Sequence, residues 1–212
     1  VRHYLEGLQF DPSTDRHQLS TWMQDYLGVN PKDDDEKAYV QAVSRLSLIQ
    51  GVARALNPGC KADSIPILEG GQGIGKSTAI RELHGADWFG DALPPMSSKD
   101  ASDYVRGKWG IEFAELAFQQ KAEVEAQKAF ISRREERFRL AYGREEICYP
   151  RRCVFWGTTN RNDYIKDDTG NRRFLPIRVN QVDIEGLRAN RDKLWAEAVY
   201  FYKQGEEYWL SD

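Results

Sequence analysis

Apolar residues recur at helical spacing in some stretches of this chain and form short unbroken runs in others, and the two patterns alternate. Leu19, Trp22, Met23, Tyr26 and Leu27 fall at i, i+3, i+4, i+7 and i+8, which predicts a helix within Asp15–Leu27 ended by Gly28. Val40, Val43, Leu46, Ile49, Val52 and Leu56 recur at helical spacing behind the acidic run Asp33-Asp34-Asp35-Glu36, whose charge suits a helix N-terminus, until Asn57-Pro58-Gly59 stops the pattern. Ile65-Pro66-Ile67-Leu68 is a short apolar run and predicts a strand, followed by a glycine-rich loop and a helix over Ser77–His84. Further strands are predicted at Trp109–Ala114, Val154–Gly157 and Phe174–Val179. The stretch from Gly85 to Pro95 reads as loop, Ser98–Arg106 as a short helix capped by Ser97 or Ser98, Ala117–Phe138 as a long charge-rich helix, and Leu187–Tyr202 as an amphipathic one. Strands alternating with helices predict an α/β fold with a mostly parallel sheet behind an N-terminal helical layer. Residues 1–58 form that helical region, and 59–212 the sheet-bearing core with its C-terminal helix.

Composition narrows the classes. At 212 residues, 41% hydrophobic and 30% charged, the chain reads as globular, and no apolar run approaches the roughly 18 residues of a membrane span, so no membrane partner is expected. Cys60, Cys148 and Cys153 form neither an even framework nor a Cys-x-x-Cys pair, which points away from disulfides and structural zinc and toward a reducing, cytoplasmic setting. The chain begins at Val1 with no signal-like segment after it, as expected of a piece of a longer protein. A net charge of −3 argues against a generally basic coat for nucleic acid but leaves room for a local basic strip. The acidic run at 33–36 is expected to be a solvated helix start rather than a metal site.

The chemistry concentrates in Gly70-Gly71-Gln72-Gly73-Ile74-Gly75-Lys76-Ser77, with Thr78 beside it, which satisfies G-x-x-x-x-G-K-[ST] between a predicted strand and a predicted helix. Glycines let successive backbone N–H groups converge on phosphate oxygens, and the helix N-terminus adds free donors. Lys76 is placed to bridge β- and γ-phosphates and Ser77 to hold Mg2+ through its hydroxyl, so ATP and Mg2+ are the expected cofactors. Such a loop needs a carboxylate from the end of a neighbouring strand. Trp109-Gly110-Ile111-Glu112-Phe113-Ala114-Glu115 supplies two: Glu115 at the strand's end is the first choice for metal and water, Glu112 the second, and either could be a solvated strand carboxylate.

Asn160, after Val154-Phe155-Trp156-Gly157-Thr158-Thr159, is placed to orient water or touch the γ-phosphate, or to cap a turn with Thr159. Arg172 and Arg173 precede a strand, and a planar fork there suits charge on a transferring phosphoryl group, often in a neighbouring subunit; two solvated arginines flanking a turn are the plainer alternative. Between 128 and 152 the basic residues Lys128, Arg133, Arg134, Arg137, Arg139, Arg144, Arg151 and Arg152 interleave with Phe130, Phe138, Tyr142 and Tyr149. Such a segment can grip a nucleic-acid backbone and stack bases, or form a helix surface laced by Glu/Arg pairs over a core of aromatics.

The set LEGGQGIGKST, WGIEFAEL, KAFISRREERFRLAYGR, PRRCVFWGTTN and DDTGNRRFLPI, in this order over about Asn57–Val179, resembles the virulence-associated E (VapE-like) family of P-loop ATPases related to superfamily 3 helicases and phage primase-helicase proteins. The resemblance implies an AAA+-like P-loop core that self-associates into a ring such as a hexamer and couples ATP hydrolysis to movement on single-stranded or forked DNA, in replication of a phage or genomic island. It gives Lys76 and Ser77 the phosphate-loop roles, Glu115 the acidic strand-end role, Asn160 the sensor role and Arg172 or Arg173 a role in trans. It also places Lys128, Arg133, Arg134, Arg137, Arg139 and Arg144 where these relatives contact DNA. No primase-like domain is visible in the chain, which leaves unwinding by this chain alone open. The competing readings are an ATP-switched DNA-binding or loader module that does not unwind, and a small-molecule kinase of P-loop type.

Overall fold

The computed structural model describes residues 1–115, 121–139, 146–160 and 171–210. Helices α1 (Arg2–Gly7), α2 (Trp22–Leu27) and α3 (Asp34–Leu56) come first, then strand β1 (Ile65–Glu69) and helix α4 (Lys76–His84). After β2 (Phe89–Gly90), α5 (Lys99–Tyr104) and β3 (Gly110–Phe113) come α6 (Lys121–Ile131) and the hairpin strands β4 (Glu135–Arg139) and β5 (Glu146–Pro150). Strands β6 (Val154–Thr159) and β7 (Phe174–Arg178) and helix α7 (Ile184–Lys203) close the chain.

The sheet has five parallel strands in the order β2-β3-β6-β1-β7, so β1 lies between β6 and β7, and β6 separates it from β3. Parallel strands buried on both faces are apolar on both, which explains their unbroken hydrophobic runs. Alternation still assigns the faces. Leu68, Trp156, Leu175 and Ile177 point into a core shared with α2, α3, α4 and α7, whereas Ile65, Ile67, Ile111, Phe113 and Phe155 pack against α5 and α6. Because Glu112 alternates with Ile111 and Phe113, it shares the face of Trp156 and α4, a placement that decides the site below.

Helix starts agree with the chemistry at their ends. Asp33, Ser98 and Asp183 each accept an N–H from the third residue beyond, capping α3, α5 and α7. Gly28, at φ 62°, ends α2 in the left-handed conformation that favours glycine. Three of the four fully buried tryptophans place their indole N–H groups on backbone carbonyls: Trp22 on Ser44, Trp109 on Gly51 and Trp195 on Leu83.

Several predicted elements change. The helix predicted within Asp15–Leu27 occupies only Trp22–Leu27, because the N–H groups of Gln18 and Leu19 donate to the Glu197 carboxylate rather than to carbonyls one turn earlier. The long helix expected to Phe138 ends at Ile131; Phe138 belongs to β4, which pairs antiparallel with β5 through Glu136↔Tyr149 and Phe138↔Ile147. Its inward position is occupied by a carboxylate: Glu136 is 2% exposed, bonded to Arg151 and to the Ser102 hydroxyl, so the period of two is invisible in hydrophobicity. The short strand β2 falls in the stretch read as loop.

His84 closes α4 inside a box of Trp109, Trp156 and Trp195 with ring centroids at 5.1, 5.9 and 5.6 Å. Burial lowers its pKa from 6.5 to about 4, and the bond of Nδ1 with the Ile80 carbonyl opposes this only weakly. The unfolded chain therefore binds the extra proton between these values, so stability falls as pH drops from 6.5 toward 4, by about 3 kcal/mol in all. Urea unfolding at pH 7 and pH 4.5 checks this: the wild type should lose more stability than His84→Phe, and equal losses would refute the assignment.

Candidate functional site

The loop from Gly70 to Gly75 leaves the C-terminal end of β1, the end at which open α/β sheets bind ligands. A Cβ on Gly70 would sit 2.6 Å from the Val179 carbonyl oxygen and 2.7 Å from Ile74 Cδ1, so only glycine fits there. Gly75 caps α4 at φ 96° with no side-chain hydrogen bond, unlike the capped starts of α3, α5 and α7. The first N–H groups of α4 thus have no side-chain cap, and Ser77 and Thr78 are exposed beside them.

Lys76 is 7% exposed. Its Nζ donates to the carbonyls of Gly70 at 2.8 Å and Gly71 at 2.7 Å and to Asn160 Oδ1 at 2.9 Å. Burial draws its pKa below the ordinary lysine value, and the charge of Glu112 opposes the shift. Asn160 directly follows β6 and is exposed, so β1 and its neighbour deliver the cation and its amide partner to one point.

Glu112 is the carboxylate that meets the loop. Its Oε1 accepts from Ser77 Oγ at 2.7 Å and from Thr158 Oγ1 at 2.6 Å, while the side chain is 1% exposed. Its buried Oε2 has no hydrogen-bond partner among the described residues. A hydroxyl and a carboxyl group with an unpartnered oxygen are hard oxygen donors, so the pair fits Mg2+. Glu115, the carboxylate first chosen from the sequence for the position beside Ser77, lies elsewhere: β3 ends at Phe113, and Glu115 follows it exposed at φ 51°. Among the described residues it is the one non-glycine residue with positive φ, a strained geometry that clusters at functional sites. Thr158, absent from the sequence-based candidates, is placed by β3–β6 pairing, which sets Glu112 opposite Trp156 and brings the next same-face residue into reach.

Arg172 and Arg173 form a 3-10 turn before β7. Ile65 pairs with Phe174 and Glu69 with Arg178, so the arginines sit at the start of the strands and the phosphate loop at their finish, roughly 15 Å away along the sheet. Arg173 Nε lies 3.3 Å from Asp63, and Arg172 is exposed.

The basic segment divides. Lys128 is 4% exposed with its ammonium 3.0 Å from Glu125, and Arg151 is buried between Glu136 and the Phe130 carbonyl, 2.5 Å away, so both are interior groups. Arg133, Arg134 and Arg137 are exposed around β4; Arg133 lies over the Phe130 ring and Arg137 pairs with Glu135. Arg139 is in register with Glu146, and Arg144 lies outside the described residues. Among the described residues no helix is long and apolar enough to cross a membrane.

A five-stranded parallel sheet with a glycine-rich loop and lysine at the end of β1, one of its inner strands, defines a P-loop NTPase fold. The sequence model of the virulence-associated protein E-like domain matches residues 5–212, and the chain belongs to that family. The apo structure of the NrS-1 C-terminal region is 15% identical, with a TM-score of 0.59 over 92% of this chain and 48% of that one. The A form of the same region gives a TM-score of 0.57 at 15% identity over 91% and 46%. The chain thus spans about half the length of the structures it resembles. A comparison with curated proteins finds no match.

Proposed function

We propose that this chain is the ATP-hydrolysing core of a DNA-dependent helicase-type motor in a phage or genomic-island replication protein, working as a ring. The observation that carries the reading is the convergence of Lys76, Ser77, Glu112 and Asn160 at the finish of three neighbouring strands. Lys76 needs only to exchange its two carbonyl acceptors for β- and γ-phosphate oxygens while Asn160 keeps it oriented. Ser77 and Glu112 would hold Mg2+, which supplies neutralisation of charge on the transferring phosphoryl group. Glu115, at the strand exit, polarises the attacking water. The N–H groups of Gly71, Gln72, Gly73, Ile74 and Gly75, with those of Lys76, Ser77 and Thr78, cradle the phosphates. Arg133, Arg134 and Arg137, exposed around β4, are the proposed contacts to a DNA backbone.

Turnover with and without single-stranded DNA, together with displacement of a labelled strand, tests the motor. DNA-stimulated hydrolysis with displacement supports it; slow, DNA-independent hydrolysis with ATP-driven assembly would instead favour a switch or loader.

Because Arg172 and Arg173 lie at the opposite end of the sheet from their own phosphate loop, they act on a neighbour's nucleotide. Arg172→Ala or Arg173→Ala is expected to lose hydrolysis with nucleotide affinity nearly intact. Mixing such a variant with Lys76→Ala should restore part of the turnover, since mixed interfaces pair an intact arginine with an intact loop. Once subunit exchange is shown with labelled chains, failure of every mixture would rule out the trans role.

A further inference from the structure

Among the described residues, buried Glu112 receives two hydrogen bonds, both from hydroxyls and both on Oε1. One comes from Ser77, which is exposed beside the phosphate loop. The other comes from Thr158 at 2.6 Å, and Thr158 is 4% exposed. Strand β6 carries no polar side chain from Val154 to Gly157 apart from the indole of Trp156, and hydroxyls enter only at Thr158 and Thr159, where the strand finishes. A buried hydroxyl costs free energy unless it is hydrogen-bonded, and the single hydrogen of Thr158 goes to the carboxyl group. Thr158 stands between the two strands that build the site: Leu68 of β1 is its register partner, and Glu112 of β3 reaches it from the other side. A β-branched side chain on a paired strand has few rotamers, so this hydroxyl is fixed before any nucleotide arrives. With Oε1 held by two hydroxyls, Oε2 is the carboxyl oxygen left without a partner.

We infer that Thr158 is a positioning residue for the metal-binding carboxylate: its hydroxyl fixes the rotation of the Glu112 carboxyl group, so that Oε2 remains the free oxygen while the Ser77 oxygen turns to the metal. This deepens the ATPase reading and rests on it, through Ser77 and Glu112 as the holders of Mg2+. Thr158 touches neither nucleotide nor metal in this role; it acts through Glu112 alone. Ser77 has two tasks, as partner of Oε1 and as metal ligand, whereas the covered Thr158 has one. Mg2+ demands near-ideal octahedral geometry and Ca2+ accepts irregular geometry, so a carboxyl group free to rotate penalises Mg2+ more than Ca2+. Groups that orient a metal ligand change metal affinity or activity by about 10–100-fold when removed.

The test replaces the hydroxyl by a methyl group of similar size. Thr158→Val suits a buried strand and leaves Oε1 with Ser77 alone. Binding of a fluorescent, non-hydrolysable ATP analogue to the full chain is measured over Mg2+ and Ca2+ titrations and in EDTA. Thr158→Val should raise the Mg2+ midpoint by about tenfold or more and the Ca2+ midpoint by less, with binding in EDTA unchanged. Thr158→Ser keeps the hydroxyl and should recover most of the Mg2+ affinity. A packing defect would instead weaken binding in both metals and in EDTA alike, and would leave serine at least as impaired as valine. A Thr158→Val midpoint equal to that of the wild type, or no recovery in Thr158→Ser, would overturn the role of Thr158 while leaving the Ser77–Glu112 pair intact. A wild type that binds the analogue equally well in Mg2+ and in EDTA would overturn the Mg2+ reading of that pair and this role with it.

Discussion

Lys76→Ala should lower ATP turnover by at least about a hundredfold, the loss seen when one preorganised charge-stabilising donor is removed from a site where charge develops. The ammonium is held by the Gly70 and Gly71 carbonyls and by Asn160 Oδ1 and is mostly buried, so water cannot stand in for it at full strength. Removing it also leaves those acceptors without their donor, so a thermal melt must accompany the assay to separate lost chemistry from lost fold. Lys76→Met keeps most of the side chain's apolar packing without the charge; it should melt closer to the wild-type temperature than the alanine variant does and remain as inactive. Turnover at the wild-type rate in either variant would remove the phosphate-loop assignment and the mechanism with it.

The second large effect separates the two carboxylates. Glu112→Gln preserves shape and an oxygen able to accept from Ser77 and Thr158, so the fold should tolerate it. It removes the negative charge that the Ser77 hydroxyl alone cannot replace at a Mg2+ site. We expect Mg2+-dependent nucleotide affinity to fall together with turnover, the latter by about a hundredfold or more. Glu115→Gln should keep metal-dependent affinity close to wild type and stall hydrolysis, because an amide occupies the same space without acting as a base. Titrating Mg2+ against a fluorescent ATP analogue for both variants decides the assignment. If Glu115→Gln loses the metal and Glu112→Gln retains it, the order argued from Ser77 is reversed.

Much of this architecture was legible along the chain. Strand, glycine-rich loop and helix around Lys76 appear in sequence because each is a local signal: an apolar run, a motif of eight consecutive residues, a short amphipathic stretch. The strands at Gly110–Phe113, Val154–Thr159 and Phe174–Arg178 were legible for the same reason, since burial on both faces leaves continuous hydrophobicity. The hairpin Glu135–Pro150 was not. Its inward residue is a glutamate, and the groups that compensate it, Ser102 and Arg151, lie 34 and 15 residues away. Hydrophobic pattern carries no trace of a charge satisfied at long range.

The choice between Glu112 and Glu115 is likewise tertiary. Two residues separate them, both follow apolar positions, and nothing local says which face of β3 meets α4. Strand pairing says it: β6 lies between β3 and β1, setting Glu112 opposite Trp156 and within reach of Thr158 and Ser77. The sequence by itself determined that a G-x-x-x-x-G-K-[ST] loop joins a strand to a helix and which residues build it, and it offered a carboxylate, an amide and a pair of arginines as candidates beside it. Only the tertiary structure decided which carboxylate faces the serine and that the arginines stand at the far end of the sheet. Strand order and register depend on contacts between segments distant in sequence, where no local spacing records them.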